Sequence, residues 1–194
     1  MFKRVETDWE LTMFNHIWIT VWKEKNYELE FNEQVIDRYV AISPEGSYVG
    51  TSEITPYVPA TSSLEAIAPM RSHPKIAADP SKVGVIDKLA IMKEHRGQPL
   101  SDLLSAIVHC AEVHQLQYFV SLLEPVLFRA LRISFHLPIE KLGAKAFYKG
   151  DYVIPVLFDM SQVYANKEKY HWLVLSNDDQ VPNQNQIRMT HTGT

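Results

Sequence analysis

The stretch from residue 87 to residue 101 combines residue types that bind anionic groups. An apolar strand ending near Met92 runs into a charged turn, which is followed by Arg96-Gly97-Gln98-Pro99-Leu100-Ser101 and then by an amphipathic helix. Such a junction points several main-chain N–H groups at one place, with the positive end of the helix dipole behind them. The pattern therefore predicts a phosphate-binding turn in this part of the chain.

Basic residues gather before this turn although the whole chain is acidic, with a formal net charge of −4. Between residues 71 and 96 the basic residues outnumber the acidic ones six to three; they are Arg71, Lys75, Lys82, Lys88, Lys93 and Arg96 against Asp79, Asp87 and Glu94. A solvated face explains such a segment, and so does attraction of an anionic cofactor or an acidic partner protein. The net negative charge argues against a general nucleic-acid binder.

Length and composition predict one globular domain. The chain has 194 residues, of which 46% are hydrophobic, and we expect a domain over residues 1–175 with a polar tail over 176–194. Its single cysteine, Cys110, excludes an internal disulfide, and the histidines lack the spacing of metal ligands, so we expect no metal. We expect no membrane span and no signal peptide, and hence a cytoplasmic protein.

Periodicity predicts the elements that position the turn. Apolar residues at helical spacing indicate a helix over residues 8–30, whose tryptophans Trp9, Trp18 and Trp22 we expect in the core. Alternating runs over 38–42 and 48–54 predict a hairpin, and five prolines make 56–82 a long connection.

The second half of the chain alternates strands and helices. A strand over 83–92, a helix over 99–114, a strand over 116–123 and a helix over 125–135 precede two paired strands over 144–148 and 152–160. This order predicts an α/β (α+β) fold: a mixed, mostly antiparallel sheet flanked by helices, with a central parallel βαβ unit.

The turn and the order of elements resemble the GNAT superfamily of N-acyltransferases, over residues 8–160. Its acyl-thioester-binding turn reads Arg/Gln-x-x-Gly-x-Gly/Ala after the fourth strand; Arg96 matches the first position, Ser101 is a small residue at the last, and Pro99 stands at the central glycine. The resemblance implies an acyl-CoA or acyl-phosphopantetheine donor. It also implies two groups of donor contacts: main-chain groups of Leu89, Ala90, Ile91 and Met92 on the pantetheine arm, and Arg96 with the N–H groups of Gly97, Gln98, Leu100 and Ser101 on the phosphate.

Within that superfamily the chain is similar to the acyl-homoserine lactone synthases and N-acyl amino acid synthases. The shared features are the proline-containing segment 56–82, the tryptophan-bearing first helix and Asp87-Lys88-Leu89-Ala90-Ile91 in the fourth strand. Lys88 and Glu53 each stand where that branch has arginine, and the acidic residue it carries near position 85 or 86 is absent. The resemblance therefore implies the type of donor rather than the acceptor.

Amide formation needs a base, because a free amine is mostly protonated at neutral pH. Asp87 and Glu53 are the candidates, since carboxylates on two adjacent strands can face one cleft, bind the acceptor ammonium and remove its proton through water. The alternatives are that Asp87 pairs with Lys88 or Lys93 at the surface and that Glu53 is exposed.

Three functions stay open at this point. The first is transfer of a medium or long acyl chain to a small-molecule amine by an autoinducer-synthase-like enzyme. The second is a small-acyl acetyltransferase that uses acetyl-CoA, and the third is an acyl-CoA-binding regulatory protein without turnover. Pro99 removes one N–H donor, and the preceding segment is basic; both favour phosphopantetheine on an acidic acyl carrier protein over coenzyme A.

Overall fold

The computed structural model describes residues 1–97 and 99–174, which form an eight-stranded sheet with helices on both faces. The strands are β1 (Phe2–Arg4), β2 (Asp37–Ile42), β3 (Tyr48–Pro56), β4 (Val83–Ile91), β5 (Tyr118–Leu123), β6 (Ile139–Lys141), β7 (Ala146–Tyr148) and β8 (Asp151–Asp159). The predicted tail over 176–194 lies outside the described residues.

The sheet has the predicted mixed architecture. Its strands lie in the order β1, β2, β3, β4, β5, β8, β6, while β7 pairs with β8 off this path. Every neighbouring pair is antiparallel except β4 and β5, which are parallel and are joined through a helix. The central βαβ unit and the preceding hairpin are therefore confirmed.

Five α-helices accompany the strands in the described part of the chain. They are α1 (Asp8–Glu24), α2 (Pro74–Ala78), α3 (Leu100–Val113), α4 (Pro125–Ile133) and α5 (Met160–Tyr164). Single 3₁₀ turns lie at Ser63–Ala66, Met70–Ser72, Pro80–Lys82, Lys93–His95 and Lys167–Lys169. Within the described residues, none of the helices has the length and apolar character that a membrane crossing requires.

Local sequence explains where α1 begins. The Thr7 side chain accepts a hydrogen bond from the Glu10 N–H, and the Glu10 carboxylate accepts one from the Thr7 N–H, which makes a capping box. The helix ends at Glu24 rather than near residue 30, because Asn26 adopts a left-handed conformation (φ +57°) that ends helical pairing.

The tryptophans of α1 have three different environments. Trp18 is fully buried, whereas Trp9 is 65% exposed and the prediction that it belongs to the core is wrong. Trp22 is partly buried and lines a cavity described below. Only one face of α1 therefore lies on the sheet, as the amphipathic pattern requires.

Hydrophobic clusters cover both faces of the sheet. On one face α1 contributes Phe14 and Trp18, which pack with Val40 and Ala90. On the other face α3 packs its apolar side with β4, β5 and β8 in the largest cluster, which also includes residues of α4 and α5. The candidate site residues of β4 therefore lie between two helical layers.

The segment 56–82 is more ordered than its composition predicts. Its 3₁₀ turns and α2 place Met70 and Ile76 against Val83, Val120 and Leu157 of the sheet. Apart from a short helical pattern at Leu64–Ala68, which meets the turn at Ser63–Ala66, these elements are too short to show periodicity in the sequence. The short strands β1 and β6 and the helix α5 are missing from the predicted order for the same reason.

Candidate functional site

The parallel strands β4 and β5 stay together for only three residue pairs. Val83 pairs with Tyr118, Gly84 with Phe119 and Val85 with Val120. Beyond this point β4 continues along β3 to Ile91, and β5 continues along β8 to Leu123. The pairing of the two strands therefore ends after these three residue pairs, and the strands separate.

A side chain closes the point of separation. The Ser121 hydroxyl donates to the main-chain carbonyl of Ile86 at 2.9 Å and is buried. This bond satisfies a carbonyl that the ladder no longer reaches. We call this place, where the pairing of β4 and β5 ends, the fork.

A cavity of about 620 Å³ opens at the fork on the α1 face. Its floor includes Ile86 and Asp87 of β4 and Ser121 of β5. Its walls come from the segment that follows α1, the segment that follows β3 and the β7–β8 hairpin. Cavities of this size with a few convergent polar groups are typical of small-molecule sites.

The β7–β8 turn closes one side of the cavity. Lys149 forms an ion pair with Glu30, and the Tyr27 hydroxyl lies 3.4 Å from Asp151 Oδ2 at the start of β8. Gly150 (φ +111°) lies so close to the segment after α1 that a Cβ there would stand 2.8 Å from the Asn26 carbonyl oxygen. Close packing and charge together hold this turn against the segment after α1.

The structure brings the two predicted carboxylates together. Glu53 on β3 and Asp87 on β4 are direct cross-strand partners. The side-chain amide nitrogen of Asn32 donates to Glu53 Oε1 at 2.7 Å and to Asp87 Oδ2 at 2.8 Å. Of the two, Asp87 lines the cavity and keeps 28% of its side chain exposed.

Glu53 is not available to a substrate in this arrangement. It is 1% exposed, its Oε2 atom accepts from Arg38 Nε at 2.6 Å, and its Oε1 atom accepts from Lys88 Nζ as well as from Asn32. The expectation that it is exposed is wrong, and its predicted direct contact with the acceptor amine needs correction. Its oxygens position neighbouring groups instead.

Lys88 is the buried cation of this network. It is 2% exposed, its ammonium lies 5.1 Å from the centre of the Trp18 ring, and it stands 3.6 Å from Asp87 Oδ2. The predicted pairing of Asp87 with Lys88 therefore exists, but at the edge of the core rather than on an open surface.

A bulge in β4 makes this arrangement possible. Thr51 pairs with Ala90 and Glu53 with Asp87, so that two steps along β3 match three along β4. Lys88 has φ +46° at the extra position, and Asp87 and Lys88 consequently lie on the same face. The position of Lys88 within an apolar strand is a sequence signal that could have indicated a buried cation. Nothing in the sequence pattern pointed to Asn32 or Arg38.

The predicted phosphate-binding turn is a separate, exposed place. Arg96 and Gly97 are exposed, Gly97 has φ +108°, and no atom within 4 Å would contact a Cβ placed there. The turn ends at Pro99, whose side chain gives α3 no hydrogen-bonded cap; Leu100 and Ser101 begin the helix. Gln98 lies outside the described residues.

The strand residues predicted to bind the pantetheine arm lie between the cavity and this turn. Ala90 and Ile91 pair with β3 through their main chains, so the β5 side of the strand lacks a strand partner there within the described chain. Leu89 and Ile91 pack on the α3 face, and Ala90 and Met92 on the α1 face. None of these four residues lines the cavity.

A further cluster of polar side chains lies between β2 and α3. Asp37, Cys110 and His114 place their potential ligand atoms within 4.8 Å of one another. The Asp37 carboxylate already forms an ion pair with Arg4 and accepts from the Tyr39 hydroxyl at 3.1 Å. Burial and the Asp37 charge raise the pKa of the Cys110 thiol, which disfavours the thiolate that metals bind. Hydrogen bonding and packing account for this cluster.

Comparison with solved structures shows the same fold in acyl-transfer proteins. FeeM, an N-acyl amino acid synthase from uncultured soil microbes, superposes with a TM-score of 0.66 at 12% identity, covering 85% of this chain and 93% of FeeM. TofI, in a ternary complex with an inhibitor and MTA, superposes with a TM-score of 0.63 at 13% identity. The match covers 82% of this chain and 90% of the TofI chain.

A third similar structure contains bound ligands. BjaI, a CoA-dependent acyl-homoserine lactone synthase with SAM and isopentyl-CoA, gives a TM-score of 0.57 at 13% identity, covering 81% of this chain and 78% of BjaI. No protein-family model and no curated protein sequence matches the chain. The fold is therefore the one that the sequence resemblance predicted.

Proposed function

We propose that this chain is an N-acyltransferase that moves an acyl group from a pantetheine thioester to an amine. The observation that carries the proposal is the position of Asp87, which lines the cavity where β4 and β5 separate. A thioester that passes between the parted strands from the α3 side would bring its carbonyl carbon to this cavity. The shared fold of FeeM and BjaI supports the same reaction class.

The reaction needs few protein groups. The amine nitrogen attacks the thioester carbonyl carbon, the C–S bond breaks, and an amide and a free thiol result. Asp87 takes a proton from the amine, directly or through water, and the leaving thiolate takes a proton from solvent. Main-chain N–H groups of β4 stabilise the oxyanion, and positioning contributes several kcal/mol.

The neighbours of Asp87 have positioning roles in this proposal. Asn32 fixes the Asp87 carboxylate through one oxygen, and Glu53 fixes Asn32 through the same amide nitrogen. Lys88 supplies the charge that balances Glu53 in the core. Because Asp87 alone of the two carboxylates lines the cavity, we assign the base to Asp87 and not to Glu53.

In this proposal the donor lies along β4 and reaches the start of α3. The main chain over Leu89, Ala90, Ile91 and Met92 would contact the pantetheine arm. Arg96 and the N–H groups of Gly97, Gln98, Leu100 and Ser101 would contact phosphate at the start of α3. Asp102, which lies in the first turn of α3, forms an ion pair with the Met1 amino group at 2.7 Å.

Acyl-CoA is the first donor to test, because BjaI is CoA-dependent and has isopentyl-CoA bound. An acyl carrier protein stays a prediction that depends on Pro99 and on the basic segment 71–96. A cytoplasmic location would give access to either donor and also stays a prediction.

The test is a donor screen with a broad pool of amines. Acetyl-, butyryl-, octanoyl- and dodecanoyl-CoA are each incubated with the protein, and thiol release and amide formation are followed together. We expect amide from a medium or long donor and a loss of kcat/KM of about 100-fold or more in Asp87→Asn. Asp8→Asn, on the exposed first turn of α1, is the matched control and keeps full activity.

Three results would change the assignment. Preference for acetyl-CoA would favour the small-acyl acetyltransferase. Binding of acyl-CoA without amide from any amine, whether the donor is free or carrier-bound, would overturn the enzymatic proposal in favour of an acyl-CoA-binding protein. An unchanged kcat/KM in Asp87→Asn would remove Asp87 as the base.

A further inference from the structure

The cavity wall formed by the segment after α1 has an excess of negative charge. The lining carboxylates are Glu30, Glu33 and Asp87, and the lining cation is Lys149. Lys149 is already paired with Glu30. Within the described part of the chain, Glu33 has no ion-pair partner, so the cavity offers an unmatched carboxylate and no free cation.

The same wall carries aromatic rings. Trp22 and Tyr27 both line the cavity and contact each other edge to face, with ring centres 6.0 Å apart. The ammonium of Lys25 already lies 5.6 Å from the centre of the Tyr27 ring. Aromatic rings attract organic cations, and tryptophan does so best.

The hydroxyl of Tyr27 is held as a neutral group. It donates to Glu124 at 2.9 Å and lies 3.4 Å from Asp151. Burial and Glu124 together raise the pKa of this phenol, so the ring keeps its proton at every pH at which the protein would be assayed. The wall therefore adds no phenolate and keeps a fixed aromatic surface.

One residue joins this wall to the proposed base. Asn32 precedes Glu33 in the same segment, and its amide binds the Asp87 carboxylate. An amine placed at Asp87 therefore has Glu33, Trp22 and Tyr27 along the wall of the same cavity. A carboxylate on the acceptor would meet like charge there without an available cation, which disfavours its binding.

We propose that the acceptor is an amine with a second positive charge and no free carboxylate, such as a diamine. One amine reacts next to Asp87, and the second cationic group binds at Glu33 and the rings of Trp22 and Tyr27. This inference rests on the proposed acyl transfer and distinguishes the chain from an enzyme that acylates free amino acids.

The test compares three acceptors of matched length with octanoyl-CoA: 1,4-diaminobutane, butylamine and 4-aminobutanoate. We expect kcat/KM for the diamine to exceed that for butylamine by about 10-fold or more, with 4-aminobutanoate lowest. In Glu33→Gln the ratio of diamine to butylamine should fall to about 3 or less. Glu28→Gln, an exposed change in the same segment but outside the cavity lining, should keep the ratio.

A binding measurement separates this inference from the proposed function. Calorimetric titration of the donor-free protein should give a dissociation constant for the diamine about 10-fold or more below that of butylamine, and Glu33→Gln should remove the difference. If no acyl transfer is found but the diamine still binds more tightly than butylamine, the proposed transferase function is rejected. The inference that the cavity binds a dication then stands. Equal binding of the two amines, or the best rate with 4-aminobutanoate, would overturn the inference.

Discussion

The carboxylate network on β3 and β4 and the turn before α3 differ in how much of their structure the fold fixes. Glu53 is buried and bonded through both oxygens, and its partner Lys88 is buried as well. Arg96 and Gly97 lie exposed on a turn with few neighbours. In the proposed site, the carboxylate network is therefore fixed by the fold, whereas the turn before α3 is open to solvent.

Removal of Glu53 tests the rigid half and should have the largest effect. In Glu53→Ala, Lys88 and Arg38 lose their carboxylate, and we expect the free energy of unfolding to fall by about 3–5 kcal/mol because a buried charge is left unpaired. Urea denaturation measures the loss. The control is Glu112→Ala, which breaks the partly exposed pair with Lys167 and should cost less than about 1 kcal/mol.

A double substitution shows whether the stability lost in Glu53→Ala comes from the unpaired charge or from lost packing. Replacing Lys88 by Met together with Glu53 by Leu removes both buried charges, and Arg38, whose side chain is 28% exposed, can then turn to solvent. We expect most of the stability lost in Glu53→Ala to return. If the pair stays as unstable as the single variant, the network does not fix this region through its charges.

Substitution of Gly150 tests whether the β7–β8 turn is packed tightly against the cavity wall. Gly150→Ala combines a left-handed conformation with a contact of 2.8 Å to a main-chain oxygen, and should lower the free energy of unfolding by about 2–3 kcal/mol. Gly46→Ala has a similar conformation (φ +87°) in open space and should cost only about 1 kcal/mol. Equal costs in thermal or urea unfolding would show that the turn is not packed against the segment after α1.

The open end is tested by Arg96→Ala. Loss of a charged contact with donor phosphate should raise KM for acyl-CoA about 10-fold, which corresponds to about 1.4 kcal/mol, with a smaller change in kcat. Arg71→Ala removes another exposed cation of the same basic segment and should leave KM for acyl-CoA unchanged. An unchanged KM in Arg96→Ala would show that this turn does not bind the donor. It would leave the description of the buried carboxylate network unaffected.

The smallest effect concerns Glu10, a carboxylate held at the start of α1. The Lys3 ammonium and the N–H groups of Glu6 and Thr7 lower its pKa from about 4.5 to about 2. Because the folded pKa lies below the unfolded one, its contribution is complete above about pH 4.5 and disappears as the pH falls towards 2. The melting temperatures of wild type and Glu10→Gln should therefore differ most at neutral pH and converge near pH 2; a constant gap would contradict this.

Much of the fold followed from local patterns. Alternation and turn residues predicted the β2–β3 hairpin, and the strand, helix, strand order predicted the parallel pair β4 and β5. The β1 and β6 strands have three residues each, which is too few to show a period, and they form because a neighbouring strand offers hydrogen bonds. Such elements depend on the assembled sheet.

The candidate site followed from the sequence in part. Asp87 and Glu53 were predicted from alternation on adjacent strands, and they are indeed cross-strand partners. The burial of Glu53 depends on Asn32, which is 21 residues away in sequence, and on Lys88 and Arg38. Contacts between distant residues leave no local pattern, so these positions needed the folded chain.

The bulge in β4 also changes which residues of the strand place their side chains on the same face of the sheet. Before it, odd-numbered residues such as Val83 and Val85 meet the layer of α2, and after it even-numbered residues such as Ala90 and Met92 meet the layer of α1. Loss or gain of a single residue here would exchange the side chains that face the α1 layer with those that face the α3 layer over half of the strand. Sequence alignments of distant homologues should therefore place any gap within this strand at positions 87–88.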